Sequence, residues 1–196
     1  MANYCTNAIA FYGELNQLEA LHGHIERTML IDPHEPRITT LLDEMNLDSK
    51  VNDTRHFIIN LNPIISDKDS HHFVLLTESA WCPMTEDFDV ILKQPEFSTL
   101  DYVYTAEEPG VGIYINTDTN QRFLTPKYRF FSYMDNAVIH EEYFSSLADL
   151  VKWVNSIFSV FIDPNSTINS IIAQLCKAYH DTDAEFFIDE YSSIPV

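Results

Sequence analysis

Glycine is scarce in this chain, four residues in 196, which excludes collagen-like and Gly-rich repeat architectures. Basic residues are few beside their opposites: 11 Lys and Arg stand against 30 Asp and Glu, a formal net charge of −19. A polyanion of this kind is repelled by DNA, RNA and anionic membranes, so neither a direct nucleic-acid partner nor a membrane partner is expected. The three cysteines, Cys5, Cys82 and Cys176, are odd in number and far apart, and do not make a disulfide framework. Long apolar runs are missing too. The longest, Leu147 to Ile162, is broken by Asp149, Lys152, Asn155 and Ser156 and falls short of the ~20 residues that span a bilayer. The opening residues have no basic n-region and no apolar h-region, so a secretory signal is not expected and the reading is cytoplasmic, with reduced thiols. The N-x-S/T triplets at Asn52 and Asn165 then carry no meaning.

What is present is enough to build a core: 45% hydrophobic residues, 13% of the chain aromatic. Ala8 to Tyr12 reads as a strand stopping at Gly13. Leu15, Leu18, His22, Ile25 and Met29 then mark one face of a helix, ended by Asp32-Pro33-His34-Glu35-Pro36. A second helix is expected within 37–52, as an insertion bearing Ile38, Leu41, Leu42 and Met45. Strands follow at Phe57 to Leu61 and Phe73 to Thr77, then a helix from Met84 to Gln94. After a strand at Thr99 to Ala106, the turn Glu107-Glu108-Pro109-Gly110 leads to a hairpin partner at Val111 to Asn116. Arg122 to Tyr133 reads as a further strand. The last third carries two amphipathic helices, one with Leu147, Leu150, Val151, Val154, Ile157, Phe158 and Phe161 on its apolar face, the other with Ile168, Ile171, Ile172, Leu175 and Tyr179. Ser146 to Asp149 has the form of a capping box, and Glu185 to Ile188 is a closing strand.

This order predicts an α+β fold, a ferredoxin-like sandwich with helices on one face of an antiparallel sheet, extended by a β-hairpin and a C-terminal pair of amphipathic helices. The expected domains are 1–133, with the helical insertion at about 37–52, and 134–196, an acidic helical extension packed on it. The opening Met1-Ala2-Asn3-Tyr4-Cys5-Thr6-Asn7, the Ser79-Ala80-Trp81-Cys82-Pro83 element before a helix, and Glu107-Glu108-Pro109-Gly110 after a strand together resemble the YubB ferredoxin-like domain family. The resemblance covers roughly the first 130 residues and implies the fold and a bacterial plasmid or phage context, with no assigned activity and no catalytic residues. Met84 stands where the family usually has a second proline.

Chemistry-bearing motifs are few. His22 and His24 on a helix point about 200° apart, and His71 and His72 on a strand face opposite sides, so neither pair shares a metal ion. His22 is read instead as a satisfied, half-buried side chain. Asp181-Thr182-Asp183-Ala184-Glu185 begins like a calcium loop, but Phe186 takes the place of the required Gly and Ser192 that of the bidentate Glu. Gly110-Val111-Gly112 lacks the third glycine and the helix of a nucleotide cradle. Cys82, at a strand-to-helix junction, has no identifiable His partner. No catalytic residue, metal site or cofactor is expected.

Charge is the remaining signal. Residues 130–196 hold 10 acids and 2 bases, and residues 1–129 hold 20 acids and 9 bases. The net charge exceeds the roughly 2–8 that solubility asks of a small domain. The leading expectation is therefore a non-enzymatic, acidic protein-binding module from a mobile element, mimicking nucleic acid to inhibit a basic host protein such as a nuclease or CRISPR effector (anti-CRISPR or anti-restriction type). The residues expected at the partner are Glu107, Glu108, Glu141, Glu142, Asp181, Asp183, Glu185, Asp189 and Glu190. Two alternatives stay open: a homodimeric assembly module joined through the C-terminal helices, and an enzyme built around Cys82 and a distant histidine.

Overall fold

The structure, a computed structural model, describes residues 3–50, 55–67, 70–134 and 137–193. The chain is α+β with antiparallel sheets, and it divides into two compact units, Met1–Thr119 with Ser193–Val196, and Asn120–Ser192.

In the first unit, β1 (Tyr4–Tyr12) is followed by α1 (Leu15–Ile31), α2 (Ile38–Glu44), β2 (His56–Leu61), β3 (Ile65–Asp67) and β4 (Ser70–Ala80). Then come α3 (Glu86–Leu92), a 3₁₀ turn at Pro95–Phe97, β5 (Asp101–Glu108) and β6 (Ile113–Asn116). The strand order is β2-β4-β1-β5-β6, with β3 also pairing β4, and every pair is antiparallel. Strand alternation turns Cys5, Asn7, Ile9 and Phe11 of β1 inward, and Ile9 pairs with Leu75 and Tyr104 on either side. These side chains share one core with Leu18, Leu21 and Ile25 of α1, Leu41 and Leu42 of α2, and Phe88 and Ile91 of α3. Burying each such Leu, Ile or Phe contributes roughly 1.5–3 kcal/mol. Gly13 makes the strand-to-helix turn at φ +148°. A Cβ there would lie 2.6 Å from the Thr99 carbonyl oxygen, so only glycine fits. Helix α1 stops at Asp32, ahead of Pro33.

The second unit holds β7 (Tyr128–Met134), β8 (Ala137–Phe144), α4 (Leu147–Ile157), α5 (Ile168–Ala178) and β9 (Glu185–Glu190). Its three strands lie in the order β8-β7-β9, antiparallel throughout. Leu150, Val151 and Val154 of α4 and Ile171 and Leu175 of α5 pack with Phe130 and Phe186 of the sheet. Ser146 caps α4, its Oγ accepting from the Asp149 amide at 3.1 Å, and Thr167 caps α5 through the Ser170 amide at 3.3 Å. Asn155 ties the end of α4 to the following loop by two hydrogen bonds with the Ile162 backbone.

Three expectations change. The division falls at 119/120 rather than 133/134, because β7 is the central strand of the second sheet and cannot be detached from β8 and β9. Residues 134–196 are not a purely helical extension, since they contribute two of that sheet's three strands. Glu107 and Glu108, expected in a turn, end β5, whose alternation runs two residues further than expected and carries Glu108 inward. The expected helix at 37–52 is formed over Ile38–Glu44; its residues 51 and 52, with the triplet at Asn52, lie outside the described residues, as does Asp135.

Candidate functional site

The division at 119/120 redistributes the charge. Arg122, Lys127 and Arg129 belong with the C-terminal acids, so residues 120–192 hold 10 acids and 5 bases, net −5. Residues 1–119 hold 20 acids and 6 bases, net −14. The negative charge is therefore concentrated in the first unit and not, as expected, in the last third of the chain.

The nine expected partner-binding acids do not form one cluster. Glu108 is 4% exposed and its Oε1 accepts the Gly110 amide at 3.0 Å, so it braces a turn and faces no partner. Glu107, its neighbour in β5, points to the opposite side of that strand. Asp181 and Asp183 are exposed in the turn ahead of β9, Asp181 beside His180. Glu142 pairs in register with Phe130 and Glu190 with Tyr128, which places both on the helix-facing parity of the second sheet. Glu190 accepts the Tyr128 hydroxyl at 3.2 Å; burial, and then this carboxylate, push the Tyr128 phenol up from its ordinary value.

The other three, Glu141, Glu185 and Asp189, share the outer face of the β8-β7-β9 sheet. The register sets three rows across it: Tyr143, Arg129 and Asp189; then Glu141, Phe131 and Phe187; then Val138, Tyr133 and Glu185. Arg129 organises the first two rows. Its guanidinium lies 4.4 Å from the centre of the Phe131 ring, with Nη2 2.7 Å from Glu141 Oε1 and Nη1 3.4 Å from Asp189 Oδ2. Its side chain is 11% exposed, so both carboxylates are fixed by a largely buried cation. Phe131 and Phe187 stack at 4.8 Å with their planes 11° apart, and Tyr133 meets both rings edge-on. Tyr143 is exposed and donates to Glu141 Oε1 at 3.1 Å. Glu185 is exposed and makes no ion pair among the described residues.

The result is an aromatic surface, partly open to solvent at Phe187, Tyr143 and Val138 and edged by carboxylates. Arg129 already supplies one cation here, covering Phe131 and pairing with Glu141 and Asp189, so what is left for an incoming guanidinium or ammonium group is the exposed Phe187 ring with the Glu185 carboxylate beside it. The sequence expectation includes the three acids and misses the aromatics. The signal is present in the alternations Arg129-x-Phe131-x-Tyr133 and Glu185-x-Phe187-x-Asp189, each of which puts three side chains on one face of a strand.

The first unit holds a buried polar network as well as an open cleft beside α3, lined by Lys50, Glu86, Asp89 and Lys93. Asn7 Nδ2 donates to Ser79 Oγ at 2.9 Å and to Thr77 Oγ1 at 3.3 Å, and His56 Nε2 meets Thr77 Oγ1 at 3.1 Å. Burial, reinforced by Cys82 and Glu108, pushes the Cys5 thiol up to about 12, and that thiol donates to Asn7 Oδ1. Cys5 is therefore a structural donor and not a nucleophile at neutral pH. Cys82 is exposed, and the carbonyl of its own residue accepts the Ser79 hydroxyl at 2.7 Å. His22 is half-buried with Nε2 against the Asn62 carbonyl at 3.1 Å, and His24 turns the other way to Glu44. Among the described residues no group of three or more His, Cys, Asp or Glu is placed to hold a metal ion, and no helix is long and apolar enough to cross a membrane. Comparison of the chain with protein-family models, with curated proteins and with solved structures finds no match.

Proposed function

We propose that this chain is a non-enzymatic, acidic protein-binding module that receives an Arg- or Lys-rich segment of a nucleic-acid-handling host protein on the outer face of the β8-β7-β9 sheet. It acts there as a nucleic-acid-mimicking inhibitor of the anti-CRISPR or anti-restriction type. The observation that carries the reading is the juxtaposition of Glu185, which makes no ion pair among the described residues, with the stacked Phe131 and Phe187 on one sheet face, where Arg129 holds Glu141 and Asp189 in place. The net charge of −19 adds long-range attraction for a basic partner and predicts a steep salt dependence. We further read the first unit as ferredoxin-like. Its order β2-β4-β1-β5, antiparallel throughout and with α1 after β1 and α3 after β4, supports that assignment and, with it, the resemblance to the YubB family and a mobile-element origin. The homodimer alternative has less to stand on, because Leu150, Val151, Val154, Ile171 and Leu175 are already covered by the unit's own sheet.

The test is capture from bacterial lysate by the immobilised protein at low and high salt, run beside a Glu185→Lys/Phe187→Ala variant and an Asp181→Lys/Asp183→Lys control. The expected result is a basic nucleic-acid-binding protein that is captured at low salt and released at high salt. The sheet-face variant loses it and the turn variant weakens it only modestly. Equal capture by both variants, or capture of no basic protein, overturns the assignment.

A further inference from the structure

The opposite face of the same sheet is incompletely filled. Where β7, β8 and β9 approach the C-terminal ends of α4 and α5, a pocket of about 200 Å³ opens between the strands and Phe158 and Tyr179. Ser132 lies in its floor, paired in register with His140 on one side and Phe186 on the other, so the three residues form one row across the sheet. Strand parity turns Ser132 to the same side as Phe130, the side that α4 and α5 cover.

Two features distinguish this pocket from a packing defect. Ser132 is 3% exposed, and its hydroxyl has no hydrogen-bond partner among the described residues. A buried hydroxyl left unpaired is destabilising, and an alanine or valine at this place in the strand would avoid the cost. Beside it, the His140 ring is held edge-on by Trp153 at 5.6 Å and Phe158 at 5.3 Å, with no hydrogen bond to its nitrogens among the described residues. The Tyr179 hydroxyl is already engaged, donating to the Phe158 carbonyl at 3.0 Å, and so serves as fixed wall. Among the described residues the rest of the lining is apolar, apart from Tyr133, whose side chain belongs to the opposite face of the sheet, and Met134, Ile139 and Ile157 are exposed at the rim.

An apolar pocket with two polar groups side by side and, among the described residues, no Asp, Glu, Lys or Arg in its lining selects for an uncharged, flat, mostly apolar molecule that carries one polar group. Its size points the same way: an apolar cavity of about 150 Å³ takes benzene, so this one has room for a second fused ring. We propose that the pocket binds a small neutral heteroaromatic ligand of one or two fused rings, whose single N–H or O–H group is taken by Ser132 with His140 beside it. This site uses the helix-facing side of the sheet and stands apart from the protein-binding face.

The experiment titrates the full chain with indole and, in parallel, with indene, its isostere lacking the N–H, and follows amide and His140 ring shifts by NMR. Indole should give saturable shifts centred on residues 132, 140, 158, 179 and 186, and should bind about tenfold more tightly than indene. Ser132→Ala should keep the fold, with a thermal midpoint equal to or above that of the parent, while collapsing the indole–indene difference. Ala184→Phe, which fills the pocket, should abolish binding of both probes. Absence of saturable shifts at these residues, equal affinity for the two probes in the parent chain, or an indole preference that survives Ser132→Ala would each overturn the proposal.

Discussion

His56 offers the sharpest physical test of the first unit. It is 3% exposed, stands edge-on to Phe88 at 5.6 Å, and has Nε2 against Thr77 while Nδ1 has no partner among the described residues. Burial alone lowers its pKa from 6.5 to about 4. In the unfolded chain the ring takes up a proton near pH 6.5, and in the folded chain only near pH 4. The stability conferred by keeping it neutral is complete above pH 6.5 and is lost as pH falls from there toward 4. Each tenfold change in proton affinity is worth about 1.4 kcal/mol, so the loss at about pH 4.5 comes to about 2.5 kcal/mol. The carboxylates also titrate in this range, so the informative quantity is the difference from a variant without the imidazole. His56→Leu keeps an apolar side chain in the core and removes the unpartnered nitrogen. Denaturant unfolding should place the variant within about 1 kcal/mol of the parent at about pH 7.5 and about 2 kcal/mol or more above it, relative to that baseline, at about pH 4.5. A direct NMR titration should find the His56 ring neutral down to about pH 4.5. A midpoint near 6.5, or a stability difference that does not change with pH, would refute the argument.

Two further outcomes follow from the same unit. Asp87 is 2% exposed and accepts the Ser49 hydroxyl and, at 2.7 Å, the Lys50 amide. Asp87→Ala should therefore cost about 1–3 kcal/mol in denaturant unfolding, and a loss below about 0.5 kcal/mol would show that those donors find other partners. Gly13→Ala should lower the thermal midpoint well beyond Gly112→Ala, because a Cβ at Gly13 meets the Thr99 carbonyl whereas one at Gly112, where φ is +74°, meets nothing within 4 Å. Equal effects would mean that backbone strain, about 1 kcal/mol at either site, is the whole penalty.

Much of the architecture is legible in the sequence because it rests on local periodicity. The apolar stripes of α1, α4 and α5 and the strand-like runs of β1, β4 and β5 announce themselves within a dozen residues. The capping box at Ser146 and Asp149 is legible for the same reason. What stays hidden depends on distant partners. Edge strand β8 buries little, so Ala137 to Phe144 shows no clear alternation of burial, and this member of the second sheet goes unread. Without β8, nothing joins the strand read at Arg122 to Tyr133 to the closing strand read at Glu185 to Ile188, and the former reads as the end of the first domain. Arg129 reads as one of three basic residues in a group, and its ion pairs with Glu141 and Asp189 span 12 and 60 positions. Glu108 reads as solvated because the following Pro109-Gly110 suggests a turn, whereas β5 carries it inside first.

The pairing irregularities at the two edge strands share a form. In β2 the register slips between Ile58 and Asn60, and in β8 between Val138 and His140, leaving Ile59 and Ile139 as the extra residues, each about half exposed. A one-residue bulge leaves the pairing on both of its sides intact while it bends the strand and increases the local twist of the edge. In β8 that extra residue, Ile139, stands at the rim of the pocket beside His140. Deleting it would restore a regular ladder and return the edge to a straight template for another chain to pair with, exchanging a pocket mouth for an adhesive edge.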